Sequence, residues 1–171
     1  MDNFKNIIRN VPNFPIEGIQ FKDITTVLKD PVGFKASIKA MEEKLQGIDF
    51  DIVIGPESRG FIFGTPLAVT MGKSFVPARK KGKLPSEVIS KTYTLEYGEN
   101  TIEIHKDAIL AGQKIVIADD LLATGGTCKA ICELVESVGA EVVGLVFFIE
   151  LLELNGRETL KGYNVSSLVT Y

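Results

Sequence analysis

The chain has 171 residues, of which 45% are hydrophobic and 24% charged. These proportions exclude a disordered or low-complexity polymer and allow one domain with a sizeable core. Nineteen basic and 22 acidic residues leave a formal net charge of -3, which argues against broad electrostatic binding to nucleic acid.

The longest apolar stretch, 142–149, is far short of the roughly 18 residues of a membrane span. The first ten residues carry no basic segment followed by an apolar run, so no secretory signal is expected. Cys128 and Cys132 are the only cysteines. Four apart in a helical pattern, they read as packed thiols. A zinc site would need more ligands, and the single histidine, His105, is not placed to help. A reducing, cytoplasmic compartment is the expectation.

In chain order, residues 4–9 read as a short helix that ends before Val11-Pro12-Asn13-Phe14-Pro15, where the prolines impose extended geometry. Asp30-Pro31 reads as a helix start, an acidic N-cap with Pro in the first turn. The helix carries Phe34, Ile38, Met41 and Leu45 on one face and stops at Gly47. Residues 51–54 form an apolar strand ending at Gly55-Pro56, and a compact helix follows over 60–71. Residues 74–78 and 114–118 are two more strands, 129–138 a helix ending at Gly139, and 141–149 a long apolar strand.

Strands alternating with helices imply an α/β fold: a central, mainly parallel sheet with helices on both faces. Between 80 and 108 the pattern changes. A basic run, 79–83, precedes two alternating stretches, 92–97 and 101–105. They read as an inserted two-stranded flap, bracketed by Gly82 and Gly98 and without a strong apolar face. Nothing divides the chain, so residues 1–171 are expected to form one domain, with 1–30 as an N-terminal hood and 80–108 as a flexible flap.

Ligands of parallel sheets sit at the carboxyl ends of the strands, and three polar clusters fall there: 55–60, 79–85 and 119–127. The third is the most informative. Strand 115–118 delivers Asp119 and Asp120, and the loop Ala123-Thr124-Gly125-Gly126-Thr127 opens directly into a helix. The glycines allow several N–H groups to point at one anion. The helix dipole and the threonine hydroxyls add to the attraction. The loop suits one phosphate, whereas the carboxylates suit hydroxyls or a magnesium-bound ligand; together they describe a ribose phosphate. The loop is neither a Walker A sequence nor G-x-G-x-x-G. In the cluster 55–60, Arg59 offers a fork for phosphate. The four basic residues of 79–83 stand out in an acidic protein and suit a highly anionic substrate. Met41, Met71, Cys128 and His105 read as structural.

The strand–Asp119-Asp120–loop–Thr124-Gly125-Gly126-Thr127 element resembles the phosphoribosyl pyrophosphate (PRPP) motif of type I phosphoribosyltransferases. Pro12-Asn13-Phe14-Pro15, the segment Gly18-Ile19-Gln20-Phe21-Lys22-Asp23-Ile24-Thr25, Gly55-Pro56-Glu57-Ser58-Arg59-Gly60-Phe61, Arg79-Lys80-Lys81-Gly82-Lys83-Leu84-Pro85 and Tyr93-Thr94-Leu95-Glu96-Tyr97-Gly98 resemble, in order, the adenine phosphoribosyltransferase family. The match covers nearly the whole length.

The resemblance implies the type I phosphoribosyltransferase fold and transfer of a phosphoribosyl group from PRPP to adenine. It places ribose and 5-phosphate on Asp119, Asp120, Ala123, Thr124, Gly125, Gly126 and Thr127. Pyrophosphate falls to Glu57, Ser58, Arg59, Arg79, Lys80 and Lys83. Adenine lies between Phe21 and Leu122, its edge read by the backbone of Gln20 and Lys22. Glu96 is implied as general acid/base, with Tyr97 near the leaving group and Arg59 stabilising it. Magnesium is implied to arrive with PRPP rather than at a dedicated protein metal site, and a homodimer is implied, with no nucleic-acid or membrane partner. Two other readings stay open: a phosphoribosyltransferase for another base, and a PRPP-sensing regulator of the same fold.

Overall fold

The computed structural model describes residues 4–95 and 98–171. The N-terminal segment holds one 3₁₀ turn, Phe4–Asn6, rather than the helix expected over 4–9. Arg9 leaves the turn because it is drawn into β1 (Arg9–Pro12), which pairs antiparallel with β2 (Gln20–Asp23). Arg9 holds the Asp23 carboxylate through Nε at 2.9 Å and also through its Nη2. The other Asp23 oxygen accepts from the Thr25 N–H at 2.9 Å, at the start of α1 (Thr25–Leu28). Helix α2 (Pro31–Lys44) begins as expected, with Asp30 accepting from the N–H groups of Val32 and Gly33.

The main sheet has seven strands. β3 (Ile52–Pro56) is buried along its whole length, as a parallel strand covered on both faces must be. α3 (Arg59–Thr70) and β4 (Ser74–Lys80) follow. β5 (Val88–Leu95) and β6 (Gly98–His105) form an antiparallel ribbon. β7 (Lys114–Leu122), α4 (Gly126–Ser137), β8 (Glu141–Glu150), α5 (Gly156–Thr159) and β9 (Val165–Thr170) complete the fold. The strand order is β5-β6-β4-β3-β7-β8-β9. The run from β4 to β9 is parallel, and the ribbon joins it antiparallel to β4. This is the mainly parallel α/β architecture that the alternation of strands and helices implies.

Each face of the sheet carries its own core. On one, Ile54, Ile104, Ile117, Phe147, Ile131 and Val135 pack together. On the other, Met41, Phe63, Leu67, Val116 and Phe148 do so, with the rings of Phe63 and Phe148 stacked 5.1 Å apart. Full burial of an apolar group of this size stabilises by about 1.5–3 kcal/mol.

The inserted segment departs from expectation. Ile102 and Ile104 are buried, so β6 has a firm apolar face and belongs to the main core. Arg79 and Lys80 of the basic run lie within β4, paired with Glu103 and Ile102. The polar segment that became β2, the terminal strand β9, and the four-residue helices α1 and α5 escape the sequence patterns.

The Arg9–Asp23 contact gives a pH signature. The bonds from Arg9 hold the Asp23 carboxyl down to about 2, from an ordinary 3.8. A carboxyl with a depressed folded-state pKa stabilises above its unfolded value and loses that contribution as pH falls through the folded one. The stability difference between the parent and Asp23→Asn should therefore be full above pH 3.8 and shrink as pH falls toward about 2. Thermal unfolding followed across that range checks it.

Candidate active site

Strands β4, β3 and β7 are successive neighbours in the sheet. Their carboxyl ends therefore bring the clusters 55–60, 79–83 and 119–127 side by side. The backbone leaves β3 through Glu57 and Ser58, joined by a cis peptide, and enters α3 at Arg59. It leaves β7 after Asp119 and Asp120 and turns through Gly125, in the left-handed region at φ 83°, into α4.

The two aspartates differ in surroundings. Asp120 is 3% exposed, and Arg59 Nε lies 3.0 Å from its Oδ2. That oxygen accepts no aligned hydrogen bond, so the contact is one of charge more than of direction. The Asp120 N–H donates to Asp119 Oδ1 at 2.8 Å. Asp119 Oδ1 also sits 2.8 Å from the place a Cβ on Gly60 would take. The carboxylate thus packs directly on the first turn of α3, where the helix dipole favours negative charge. Burial pushes the Asp119 carboxyl well up, and the neighbouring Asp120 adds to this. Burial also raises Asp120, opposed by the Arg59 guanidinium. Two close acids in a confined site resist ionising together.

The phosphate-type loop encloses a small pocket of about 100 Å³ lined by Asp119, Leu121 and residues 122–128. Its shape depends on contacts with α5. A Cβ on Gly125 would meet the Gly156 carbonyl oxygen at 2.8 Å, and one on Gly156 would collide outright with the Ala123 carbonyl oxygen. α5 is itself anchored: Arg157 donates to both oxygens of the buried Glu150, at 2.6 and 2.8 Å, and Ser167 bonds the same carboxylate at 2.5 Å. Gly126, by contrast, has only ordinary contact with the Tyr93 ring, 3.7 Å from the place of its Cβ.

At the end of β4, Arg79 Nε pairs with Glu57 Oε2 at 2.7 Å and its Nη1 donates to the Lys83 carbonyl at 3.0 Å. Glu57 therefore presents its carboxylate to Arg79. Lys80 and Lys83 are exposed, as is Ser58.

The N-terminal ribbon supplies an aromatic pocket of about 340 Å³ lined by Val11, Phe14, Phe21, Ile24, Thr25 and Arg59. Phe14 meets Phe21 edge-on with centroids 5.1 Å apart, and the Arg59 guanidinium lies 5.7 Å from the Phe21 centroid. Arg59 thus links the aromatic pocket to the carboxylate pair. Gln20 and Lys22 direct their side chains to Asn10, Gln20 Oε1 accepting from Asn10 Nδ2 at 2.7 Å and Lys22 Nζ donating to Asn10 Oδ1 at 3.0 Å. In a two-stranded sheet the outer edge of β2 keeps an unpaired row of backbone groups. A larger depression, about 510 Å³, lies on the α2 side against Phe4 and Leu168 and holds none of these residues.

Leu122 does not form a wall of this pocket. It is 1% exposed and packed beneath Gly156 in the core. Leu121, its neighbour, is half-buried. Glu96 and Tyr97 lie outside the described residues. Sequence reasoning also gave no role to Gly156 or Tyr93; Tyr93 stood inside a quoted motif, while nothing near Gly156 signals a close approach. Both cysteines are buried, and burial pushes the Cys128 thiol well up and the Cys132 thiol to about 12. They are neutral packing groups at physiological pH.

A carboxylate pair, a glycine turn into a helix and an arginine at the start of α3 meet at one edge of the sheet, and the family described as phosphoribosyl transferase domain matches residues 23–168. Among the relatives it resembles, the adenine phosphoribosyltransferase of Acetivibrio thermocellus is 58% identical over 170 residues, spanning 99% of each protein. The crystal structure of the Thermoanaerobacter pseudethanolicus adenine phosphoribosyltransferase superposes with a TM-score of 0.97 at 52% identity, spanning 99% of both proteins. That of the Saccharomyces cerevisiae enzyme, complexed with adenine and an imino-altritol bisphosphate, gives a TM-score of 0.90 at 42% identity, spanning 96% of this protein and 95% of that one. The chain belongs to the adenine phosphoribosyltransferase family.

The close approach of α5 to the loop predicts which glycines tolerate a side chain. Gly156→Ala and Gly125→Ala should each destabilise by about 1–3 kcal/mol, as overpacking against backbone does. Both should also weaken binding of PRPP, whereas Gly126→Ala should leave the melting temperature nearly unchanged. Thermal unfolding and calorimetric titration of the three variants check this.

Proposed function

We propose that the protein transfers the 5-phosphoribosyl group of PRPP to adenine, giving AMP and pyrophosphate, a reaction of purine salvage. The observation that carries this reading is the adjacency of the β3, β4 and β7 ends. A substrate with a phosphate at one end and a diphosphate at the other finds a complementary group along its whole length. The 5-phosphate takes the Thr124–Thr127 loop at the N-terminus of α4. The ribose hydroxyls take Asp119 and Asp120, and the diphosphate takes Arg59 and the backbone of 57–60, with Arg79, Lys80 and Lys83 supplying charge. Glu57 is better suited to orienting Arg79 than to meeting an anion itself.

Adenine fits against Phe21, with Leu121 rather than Leu122 as the second apolar side chain. The backbone carbonyl and N–H groups around Gln20 and Lys22 match its 6-amino donor and adjacent N1 acceptor. A 6-oxo purine presents the opposite polarity and would leave these groups unpaired. In the reaction, adenine N9 forms a bond to the anomeric carbon as the C–O bond to pyrophosphate breaks, through an oxocarbenium-like state. Arg59 and the basic residues stabilise charge growing on the leaving group. Glu96 takes the imidazole proton, with Tyr97 beside the departing pyrophosphate. Closure of the flap would keep water from the cation.

Magnesium suits this site as an ion carried by PRPP. Among the described residues no group of three or more metal-ligating side chains exists, and two carboxylates do not satisfy a six-coordinate ion. When bound, it would neutralise diphosphate charge. The domain boundaries follow the same reading: one domain over 1–171, with 1–30 forming the hood beside the base and 80–108 the flap. A reducing cytoplasm suits two free thiols. Among the described residues no helix is long and apolar enough to cross a membrane.

Turnover with a panel of bases, PRPP and magnesium, read as nucleotide formed, tests the function: adenine should be accepted and 6-oxopurines, orotate and uracil rejected. Failure with adenine and success with another base would overturn it. Glu96→Gln should keep PRPP affinity and lose at least about 10²-fold in turnover, the usual scale of general acid/base help. Pre-steady-state kinetics measures that step directly. The active species should be a homodimer, so light scattering should give twice 18.7 kDa.

A further inference from the structure

Among the described residues, a residue given no role above links the β5–β6 ribbon to the 124–127 loop. Tyr93 on β5 and Thr127 on α4 share a hydrogen bond between their hydroxyl oxygens at 2.9 Å. The Tyr93 ring lies over Gly126, 3.7 Å from the place of its Cβ. Two residues back on the same face of β5, Lys91 pairs with Glu133 of α4 at 2.8 Å. Two further back, Ile89 packs against the core on that side of the sheet. The alternate residues Ile89, Lys91 and Tyr93 therefore dock β5 along α4, and the row ends on the hydroxyl of Thr127.

We infer that Tyr93 is a positioning residue for the 5-phosphate: its hydroxyl fixes the direction in which Thr127 donates. The inference rests on the reading of 124–127 as the phosphate loop. Each hydroxyl has one donor and can also accept, while a phosphate oxygen only accepts. One arrangement satisfies all three groups. Tyr93 O–H donates to Thr127 Oγ1, and Thr127 O–H donates to the phosphate. Without the phenol, the Thr127 hydroxyl is free to rotate, and its own lone pairs can face the anion. The Tyr93 ring at the same time walls the loop beside Gly126, so the phenol acts from a fixed platform.

Calorimetric titration of ribose 5-phosphate into the parent, Tyr93→Phe, Thr127→Val and the double variant tests this. Each of these substitutions keeps shape and removes one hydroxyl, and thermal unfolding confirms that the variants fold. Tyr93→Phe should weaken ribose 5-phosphate about three- to tenfold, the scale of one orienting hydrogen bond. The double variant should be no weaker than Thr127→Val, because both act through one hydroxyl. Pyrophosphate affinity should not change. In turnover, Tyr93→Phe should raise the KM for PRPP while kcat stays within about twofold, the pattern of lost ground-state binding. Equal affinity in Tyr93→Phe and the parent, additive losses in the double variant, a matching loss for pyrophosphate, or no ribose 5-phosphate binding by the parent would each overturn the inference. Failure of the adenine reading is distinct: it would show as no AMP from the parent while ribose 5-phosphate binding and its dependence on Tyr93 persist.

Discussion

The parallel ladder that holds β3 between β4 and β7 fixes everything else at the site. Ile52, Val53 and Ile54 pair with Ser74, Phe75 and Val76 on one side and with Ile115, Val116 and Ile117 on the other. A slip of one residue would turn each buried side chain to the opposite face, so the two cores lock the register. With the register locked, the strand ends carrying Glu57, Arg79 and Asp119 have no freedom to separate. Groups distant in sequence are then held by the packing of isoleucines and valines, and none of them has to provide the stability itself.

Within that frame the charged groups restrain one another. Arg59 lies between Asp120 and the face of Phe21, and Arg79 lies against Glu57. Each arginine suited to an anion is thus partly neutralised by a carboxylate in the protein alone. In the proposed function, an arriving diphosphate competes with those carboxylates, while the ribose hydroxyls offer Asp120 other partners. The exchange of partners keeps buried charges compensated before and after binding, which matters because an unpaired buried charge is costly.

The 123–127 loop is supported from below by the C-terminal segment. Glu150, Arg157 and Ser167 join β8, α5 and β9 in one network centred on the buried Glu150 carboxylate. Gly156 is thereby pressed against the loop at Ala123 and Gly125. From above, Tyr93 and the β5 ribbon lie on the same loop. The loop is therefore clamped between two elements that come from opposite sides of it in sequence, and neither belongs to the 119–127 motif.

The amino-acid order by itself determined the alternation of apolar strands and helices, hence the parallel sheet, and the carboxylates and glycine turn at 119–127. These signals are local: burial on both faces demands continuous apolar strands, and an anion site at a helix start demands glycine and hydroxyl residues in succession. Asp30-Pro31 marked its helix start for the same reason. What tertiary structure alone decided are the features set by long-range neighbours. Arg9 became strand because Asp23 holds it, and β6 joined the main core because Ile102 and Ile104 found it. Which of the adjacent Leu121 and Leu122 is buried depended on which of them α5 covers. The importance of Gly156 and Tyr93 arises only where distant backbones and hydroxyls meet, and no residue near either in sequence encodes that meeting.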